Sequence, residues 1–251
     1  MSFSPEWLTL RAPFDTKARD TELARSFVAA LPSAPLIVDL GAGTGANALA
    51  LAALLPQARF RLVDNDPALL DIARTRLRAE TVQADLTGDL SSSLDGADAL
   101  SASALMDLVS ASWFEALAAQ AAKRRLPLLF PLNVDGRHAL TPSDRDDAAV
   151  FAAFARDQRR DKGFGPALGP EAPRHMLERL IAFGARVSLA PSDWQVSGDE
   201  RAMLTAFVDG VAEAAGRTET AATGWHKRRQ TLIADGALSL SVGHQDLLAL
   251  W

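Results

Sequence analysis

Short apolar runs alternate with longer segments of helical periodicity through the first half of the chain. Each apolar run is rich in leucine or β-branched residues, and the segment after it places apolar residues three or four positions apart. A strand followed by a helix, repeated in this way, is typical of a largely parallel sheet with helices on both faces. The five predicted strands span residues 36–40, 59–67, 80–86, 97–105 and 125–134.

The second half of the chain has a less regular pattern, and one further helix is predicted ahead of the first strand. The additional predicted elements are helices over 16–31 and near 144–161, 171–182, 199–215 and 219–235, with strands near 185–190 and 237–242. We therefore predict a single domain over residues 1–251. Its core at 16–135 would carry helical elements at 141–182 and 191–236 on the substrate side.

A glycine-rich turn follows the first predicted strand, in the stretch LIVDLGAGTGANALALA at residues 36–52. Ligands of such sheets bind where the strands end, and a helix that starts after a glycine turn offers unpaired N–H groups. Gly41, Gly43 and Ala46 match the dinucleotide fingerprint, and an acid follows at Asp64. The turn alone therefore leaves open a dinucleotide or another nucleotide-like ligand.

Two further acids favour a ligand other than a dinucleotide. Asp39 lies two residues before Gly41, where a carboxylate would repel a pyrophosphate but suits a ligand that carries a cationic amine. Asp85 ends the third predicted strand, where it can accept a hydrogen bond from an exocyclic amine.

Three motifs in this half resemble those of the class I, Rossmann-like S-adenosylmethionine-dependent methyltransferases. VDLGAGTG at 38–45 is similar to the first motif of that family, LVDNDPALL at 62–70 to the second, and VQADL at 82–86 to the third. The resemblance covers residues 16–135. It implies an α/β fold with a doubly wound, mostly parallel seven-stranded sheet, to which this chain would add a helical substrate-side insertion. It also implies S-adenosylmethionine as cofactor and S-adenosylhomocysteine as product.

The resemblance assigns a part of the cofactor to each motif. It places the glycine turn around the methionine part, the second motif at the ribose, the third at the adenine, and strand four at the methionine end. The cofactor-binding residues that it implies are Arg19, Asp39, Gly41, Gly43, Gly45, Asp64, Asn65, Asp85, Leu86, Ser101 and Ser103.

Residues for catalysis and acceptor binding are candidates from their position and chemistry. His138, Asp135 and His244, in that order, are candidate proton acceptors, because they follow predicted strands and histidine titrates near neutral pH. The candidate substrate-binding residues are Asn133, Arg137, Gln158, Arg159, Lys162, Trp225 and Arg229. Each also has a structural interpretation: an ordinary turn, a buried histidine with satisfied hydrogen bonds, or a core tryptophan beside solvated arginines.

The composition narrows the function classes. A net charge of −5 without a Lys/Arg block is unfavourable for tight nucleic-acid binding. The absence of cysteine excludes thiolate chemistry, and the four histidines lack metal-ligand spacing, so we predict no metal site. The chain starts without a signal-peptide pattern, and no apolar run approaches the ~18 residues of a membrane span. We therefore expect a cytoplasmic protein with no membrane partner.

These features together predict a methyltransferase that transfers the methyl group in line to a small-molecule acceptor. Members of the resembled family that methylate amide or base nitrogens of one type carry an N-P-P-[YF]-like run after strand four. Residues 103–108 read SALMDL instead, so the resemblance implies that this type of nitrogen acceptor is excluded. Three alternatives stay open: an NAD(P)-dependent oxidoreductase, a non-catalytic cofactor-binding protein, and an RNA methyltransferase. The last would use a basic cluster formed by Arg156, Arg159, Arg160 and Lys162.

Overall fold

The computed structural model describes residues 4–251, which fold around one central sheet. Within these residues the sheet has eight strands. They are β1 (Leu36–Leu40), β2 (Arg59–Asp64), β3 (Glu80–Gln83), β4 (Ala99–Ser101), β5 (Leu128–Thr141), β6 (Arg186–Pro191), β7 (Trp194–Val196) and β8 (Ser239–Leu250).

The strand order is β3-β2-β1-β4-β5-β8-β6, and β7 pairs with β8 beside this path. The five strands from β3 to β5 are parallel, whereas β8 runs antiparallel to β5, β6 and β7. The predicted mixed α/β class is confirmed, but the sheet has eight strands instead of seven. The additional strand is β7, where Trp194 and Val196 are buried and Gln195 is exposed. This alternation of period two lies in a segment for which only helices were predicted.

Nine α-helices flank the sheet within the described part of the chain. They are α1 (Pro5–Ala18), α2 (Thr21–Ala29), α3 (Ala46–Leu54), α4 (Pro67–Arg76), α5 (Ala111–Arg124), α6 (Asp147–Gln158), α7 (Ala172–Ala182), α8 (Arg201–Gly216) and α9 (Ala222–Ala234). A short 3₁₀ turn, Gly169–Glu171, precedes α7.

The prediction of one helix over 16–31 is wrong, because two helices meet there. Helix α1 ends at Ala18, and Asp20 caps α2 by accepting a hydrogen bond from the Leu23 amide at 2.7 Å. Helix α1 buries none of its residues completely, but Trp7, Leu10 and Phe14 have helical spacing and pack against an apolar core. The sequence analysis missed this periodicity.

Two strands extend further along the chain than predicted, so several candidate residues lie within strands instead of in loops. Strand β5 continues to Thr141 with a register shift between Val134 and His138, so residues 133–140 belong to a strand instead of a loop. Strand β8 continues to Leu250, so His244 and Asp246 lie within it instead of after it. Strand β8 lies between β5 and β6, and its residues His244 and Asp246 are buried.

Alternate residues of β1 contribute to two apolar cores. Ile37 faces α2, α3 and α4, whereas Val38 and Leu40 face α5 and α7. A strand buried on both faces has a continuous apolar sequence, which explains the run at 36–40. A third core joins α6, α8 and α9 to the far ends of β5, β7 and β8, and α1 packs against it.

None of the helices between residues 4 and 251 is both long and apolar enough to cross a bilayer.

Candidate functional site

A cavity of about 290 Å³ lies where the parallel strands end. Four strand ends, helix α1 and the loop after α6 form its wall. The residues that line it are Leu8, Arg11, Asp15, Arg19, Gly41, Ala42, Gly43, Thr44, Ala46, Asn47, Asp64, Asn65, Leu69, Asp85, Leu86, Thr87, Ser103, Ala104, Leu105, Leu108, Lys162, Gly163 and Phe164. The fold thus brings three separate predicted motifs to one place.

The glycine turn has a backbone conformation that residues with a side chain adopt only with strain. Gly41, Gly43 and Gly45 all have φ between +52° and +76°, a region that other residues enter only with strain. A Cβ at Gly41 would lie 3.3 Å from the Leu105 side chain. The turn is held from β2, because Asp64 accepts a hydrogen bond from the Gly43 amide at 2.8 Å.

Behind the turn, Asp39 anchors a buried polar network. Its Oδ1 accepts hydrogen bonds from Ser101 Oγ at 2.7 Å and from Asn47 Nδ2 at 2.6 Å. Its Oδ2 is buried without a hydrogen-bond partner among the described residues. Burial raises the pKa of the Asp39 carboxyl, and the hydrogen bonds from Ser101 and Asn47 oppose that rise. A buried acceptor without a partner is costly, so this oxygen marks a place where a donor belongs.

Arg19 connects this network to the cavity. Its guanidinium donates to Asn47 Oδ1 at 2.6 Å and to Ser103 Oγ at 3.0 Å, and the side chain lines the cavity. Burial lowers the pKa of Arg19, although the nearby carboxylates, Asp15 first, oppose this effect. The guanidinium has five N–H donors, so these two bonds leave donors available to a ligand carboxylate.

The third motif forms the opposite part of the wall. The Leu86 carbonyl accepts a hydrogen bond from Trp113 Nε1 at 2.6 Å, and Phe164 packs edge-on against Trp113 with 5.5 Å between ring centroids. Asp85 is exposed, and the hydrogen bond from the Thr87 amide lowers the pKa of its carboxyl. This part of the wall therefore combines apolar surface with one ionised acceptor.

Helix α1 supplies wall residues that the sequence analysis missed. Leu8, Arg11 and Asp15 are spaced at i, i+3 and i+7, so they share one helix face. Arg11 forms an ion pair with Asp15 at 2.9 Å, and Asp15 also accepts a hydrogen bond from Trp194 Nε1 at 3.0 Å. The available signal was this spacing of one apolar and two charged residues, which a search for apolar stripes overlooks.

Most predicted cofactor-binding residues line the cavity. Arg19, Gly41, Gly43, Asp64, Asn65, Asp85, Leu86 and Ser103 belong to its wall. Asp39, Gly45 and Ser101 lie one layer behind: Asp39 and Ser101 are buried and bonded to each other, and Gly45 starts α3.

The three predicted proton acceptors lie away from this cavity wall in the described chain. The His138 ring stacks on Phe151 with 4.8 Å between centroids, and burial lowers its pKa. His244 is buried within β8, and burial lowers its pKa to about 4. Asp135 pairs with Arg137. Neither the extended β5 nor the enclosed β8 brings these side chains to the glycine turn.

Of the predicted substrate-binding residues, Lys162 is the one that lines the cavity within residues 4–251. Asn133 is buried and donates to the carbonyls of Phe130 and Gln245. Trp225 and Arg229 are both buried in the helical core, where each donates to Asp147. The prediction that they meet a planar substrate is therefore not supported.

The remaining candidates lie outside the wall as well. Arg137 bridges Asp135 and Asp193 at the surface, and Arg159 pairs with Glu171 at 3.6 Å. Gln158 ends α6 with a buried Oε1 that has no hydrogen-bond partner among the described residues.

The chain is similar to known proteins both in sequence and in fold. Residues 37–126 match the family described as "Methyltransferase domain". The release factor glutamine methyltransferase of Mycolicibacterium smegmatis is 49% identical over 71 residues, which are 27% of this chain and 25% of that protein. The chain thus matches about a quarter of the length of this curated relative.

Two solved structures share the fold over almost the whole chain. One is a provisionally assigned methyltransferase of Bacillus halodurans C-125, with a TM-score of 0.51 and 16% identity, covering 92% of this chain and 97% of that one. The other is the cyclopropane synthase MmaA2 of Mycobacterium tuberculosis, with a TM-score of 0.50 and 14% identity, covering 91% and 82%. Residues 37–126 thus match a methyltransferase domain, and the fold around them is shared with these two structures.

Proposed function

We propose that this protein transfers the methyl group of S-adenosylmethionine to a small-molecule acceptor, and that the cofactor binds in the cavity at the glycine turn. The observation that carries the proposal is the convergence of three motifs, from β1, β2 and β3, on one cavity together with Arg19 and Ser103. Sequence spacing alone does not require these segments to share a cavity.

The residues around the cavity fit the chemistry of this cofactor. Its amino-acid end carries one cation and one carboxylate, and the network of Asp39, Asn47 and Arg19 offers an unpartnered buried acceptor oxygen beside guanidinium donors. Its sugar hydroxyls match the acceptor oxygens of Asp64, and its base matches the apolar Leu86 with Asp85 nearby. A dinucleotide would instead bring a pyrophosphate next to the buried Asp39.

The cofactor, when bound, supplies a methyl group on a sulfonium that is already a good electrophile. The remaining work of the chain is to position the acceptor and to exclude water. Such positioning can supply up to about 7–11 kcal/mol of the barrier in well-oriented cases. Leu8, Leu105 and Leu108 supply apolar wall, while Arg11 and Lys162 supply charge beside it.

A small acceptor agrees with the charge of the chain. The net charge of −5 opposes tight binding of RNA, which depends on many cationic contacts to phosphates.

Calorimetric titration of the purified chain tests the cofactor. We expect S-adenosylhomocysteine and S-adenosylmethionine to bind and NADH not to bind. Binding of NADH alone would establish the oxidoreductase alternative, and binding of neither would contradict the proposal.

A second measurement tests catalysis and the acceptor class. Release of S-adenosylhomocysteine is followed over a panel of small phenols, amines, thiols and carboxylic acids, and separately with RNA at low salt. Turnover with a member of the panel supports the proposal. Turnover with RNA alone would replace the small acceptor with a nucleic acid, and cofactor binding without any turnover would favour the non-catalytic alternative.

A further inference from the structure

A buried carboxylate of β8 accepts hydrogen bonds from two segments that are far apart along the chain. Oδ2 of Asp246 accepts one from the Asp20 amide at 2.8 Å, and Oδ1 accepts one from the Leu132 amide at 2.8 Å. Asp246 is 2% exposed, and within the described chain it is not part of the cavity wall. One side chain therefore ties the start of α2 and the middle of β5 to the same point of the sheet.

The bond to Leu132 completes a bulge in β5. The register of β5 against β8 shifts between Phe130 and Asn133, so the two residues between them oppose Asp246 alone. One of the two is Pro131, which has no amide to donate to a neighbouring strand. The other is Leu132, which is fully buried with a φ of +62°, a conformation that leucine adopts only with strain. The Leu132 amide thus bonds to the Asp246 side chain instead of a carbonyl of β8.

The bulge in turn holds part of the cavity wall. The Pro131 carbonyl accepts a hydrogen bond from the Ala104 amide at 3.0 Å, and Ala104 lines the cavity with a φ of +50°. Ser103, the residue before it, accepts a hydrogen bond from the Arg19 guanidinium at 3.0 Å. The position of the Ser103 hydroxyl therefore depends on the bulge that Asp246 completes.

These contacts close into a ring of hydrogen bonds and peptide bonds. The ring passes from Asp246 through residues 19–20, 103–104 and 131–132 and returns to Asp246. The Arg19 guanidinium is consequently positioned from two directions, by the backbone at residue 20 and by the Ser103 hydroxyl. Both directions lead back to the one buried carboxylate.

The charge of Asp246 acts on Arg19 as well. Burial lowers the pKa of Arg19, and the carboxylates of Asp15 and Asp246 oppose this effect. Burial raises the pKa of Asp246, and its two amide donors and the charge of Arg19 are among the groups that oppose that rise. Within the described chain the hydrogen bonds of the guanidinium go to Asn47 and Ser103. Asp246 thus favours the charged form of Arg19 without occupying its donors.

We infer that Asp246 is a positioning residue, which holds Arg19 and Ser103 in the arrangement that binds the carboxylate of the cofactor's amino-acid end. This inference rests on the proposed function, in which the cofactor carboxylate lies at Arg19. A guanidinium that is already fixed loses little side-chain freedom when a carboxylate binds to it, so more of the interaction appears as affinity. Replacement of Asp246 therefore acts on the amino-acid end of the cofactor and leaves the adenosine end unaffected.

The direct test is Asp246→Asn, because asparagine keeps the shape but offers one acceptor oxygen, so that one of the two amides loses its bond. The matched control is Asp98→Asn. Asp98 also accepts a hydrogen bond from a backbone amide, that of Leu36 at 2.8 Å, but at the opposite end of the parallel strands.

Two ligands are titrated by calorimetry into each variant: S-adenosylhomocysteine, which carries the carboxylate, and methylthioadenosine, which lacks the amino-acid part. We expect Asp246→Asn to bind S-adenosylhomocysteine at least about 10-fold more weakly and methylthioadenosine less than about two-fold more weakly. The control should bind both ligands with wild-type affinity. Unchanged affinity in Asp246→Asn, or equal weakening of both ligands, would overturn the inference.

A double-mutant cycle with Arg19→Ala separates positioning from a general loss of structure, and it needs S-adenosylhomocysteine alone. If Asp246 acts through Arg19, Asp246→Asn should change the affinity by less than about two-fold in the Arg19→Ala background. The same loss in both backgrounds would show that Asp246 acts independently of Arg19, contrary to the inference. A wild type that does not bind S-adenosylhomocysteine at all would instead overturn the proposed function.

A second pair of variants tests the same ring if Asp246→Asn does not fold. Asp20→Pro removes the amide that donates to Asp246, and the backbone accommodates proline, since φ is −75° at Asp20 and ψ is 137° at Arg19. Asp20→Ala is the comparison, because both variants lose the cap of α2 but only alanine keeps the amide. S-adenosylhomocysteine should bind Asp20→Pro at least about five-fold more weakly than Asp20→Ala, and equal affinities would overturn the inference.

Discussion

The carboxylate of Asp64 accepts a hydrogen bond from the Gly43 amide at 2.8 Å, so the end of β2 holds the glycine turn that follows β1. Its other oxygen accepts a hydrogen bond from the Asp66 amide at 3.0 Å. The residue that the family resemblance assigns to the cofactor ribose therefore also fixes the shape of the turn. A ligand that bonds to Asp64 is coupled to the turn through one side chain.

Replacement of Asp64 by alanine should weaken the binding of S-adenosylhomocysteine by about 1–3 kcal/mol, because charged hydrogen bonds are lost. Calorimetry measures this change. Asp71→Ala is the control, because Asp71 is an exposed acid on the neighbouring helix α4. Equal affinity in the two variants would argue against the assignment of Asp64 to the cofactor.

Replacement of Gly43 by aspartate should abolish cofactor binding. The new side chain would add bulk and negative charge at the cavity wall, beside Asp64. The matched control is Gly184→Asp, since Gly184 also has a positive φ and an open surrounding but does not line the cavity. Both variants should lose about 1–2 kcal/mol of folding free energy from backbone strain. Only Gly43→Asp should lose cofactor binding. Cofactor binding by Gly43→Asp would contradict the assignment of the glycine turn to the cofactor.

Replacement of Arg19 by alanine should lower the affinity for S-adenosylhomocysteine by about 1.5–3 kcal/mol, the usual range for hydrogen bonds to charged groups. The guanidinium bonds to Asn47 and Ser103 and faces the cavity. Arg25→Ala on helix α2 is the control, because that side chain is exposed. If S-adenosylhomocysteine bound both variants equally well, Arg19 would have no role in cofactor binding.

The parallel half of the fold could be predicted from the sequence because local signals and tertiary structure agree there. The apolar run at 36–40, the glycines after it and the acid at Asp64 each have one clear structural meaning. The predicted strands therefore appear, and the predicted motifs meet at one cavity.

The acceptor side could not be predicted, because its positions depend on long-range pairing. The sequence predicts His244 in a loop, but in the structure it pairs with Val134 of β5 and is buried within β8. Arg11 and Leu108 reach the cavity from helix α1 and from the loop after β4, and no local pattern relates those segments. Their chemistry becomes visible only when the chain is folded.

Replacement of Arg229 by alanine should destabilise the fold instead of acting on catalysis. Arg229 is fully buried and donates to the Pro142 carbonyl at 2.6 Å and to Asp147. Its removal leaves Asp147 with an uncompensated charge, which typically costs about 3–5 kcal/mol. Urea denaturation measures this loss against the exposed control Lys227→Ala. A wild-type free energy of unfolding together with reduced turnover would restore the substrate-binding prediction for Arg229.

Replacement of Asp107 by asparagine should stabilise the protein at neutral pH and not at acidic pH. Burial raises the folded-state pKa of Asp107 to about 6, above the ordinary value of 3.8, so the unfolded chain loses this proton first as pH rises. The free energy of unfolding of the wild type therefore falls progressively between these two pH values because of this carboxyl, and above about pH 6 the loss is constant. A difference of two units corresponds to about 3 kcal/mol.

The measurement is the free energy of unfolding of both proteins in urea between about pH 4 and about pH 8. The advantage of the asparagine variant should grow with pH and level off above about 6. Because other groups titrate equally in both proteins, the difference isolates this carboxyl. A difference that stays flat with pH would mean that Asp107 is ionised at its ordinary pKa, and a difference that grows in favour of the wild type would mean that its charge is stabilised in the fold.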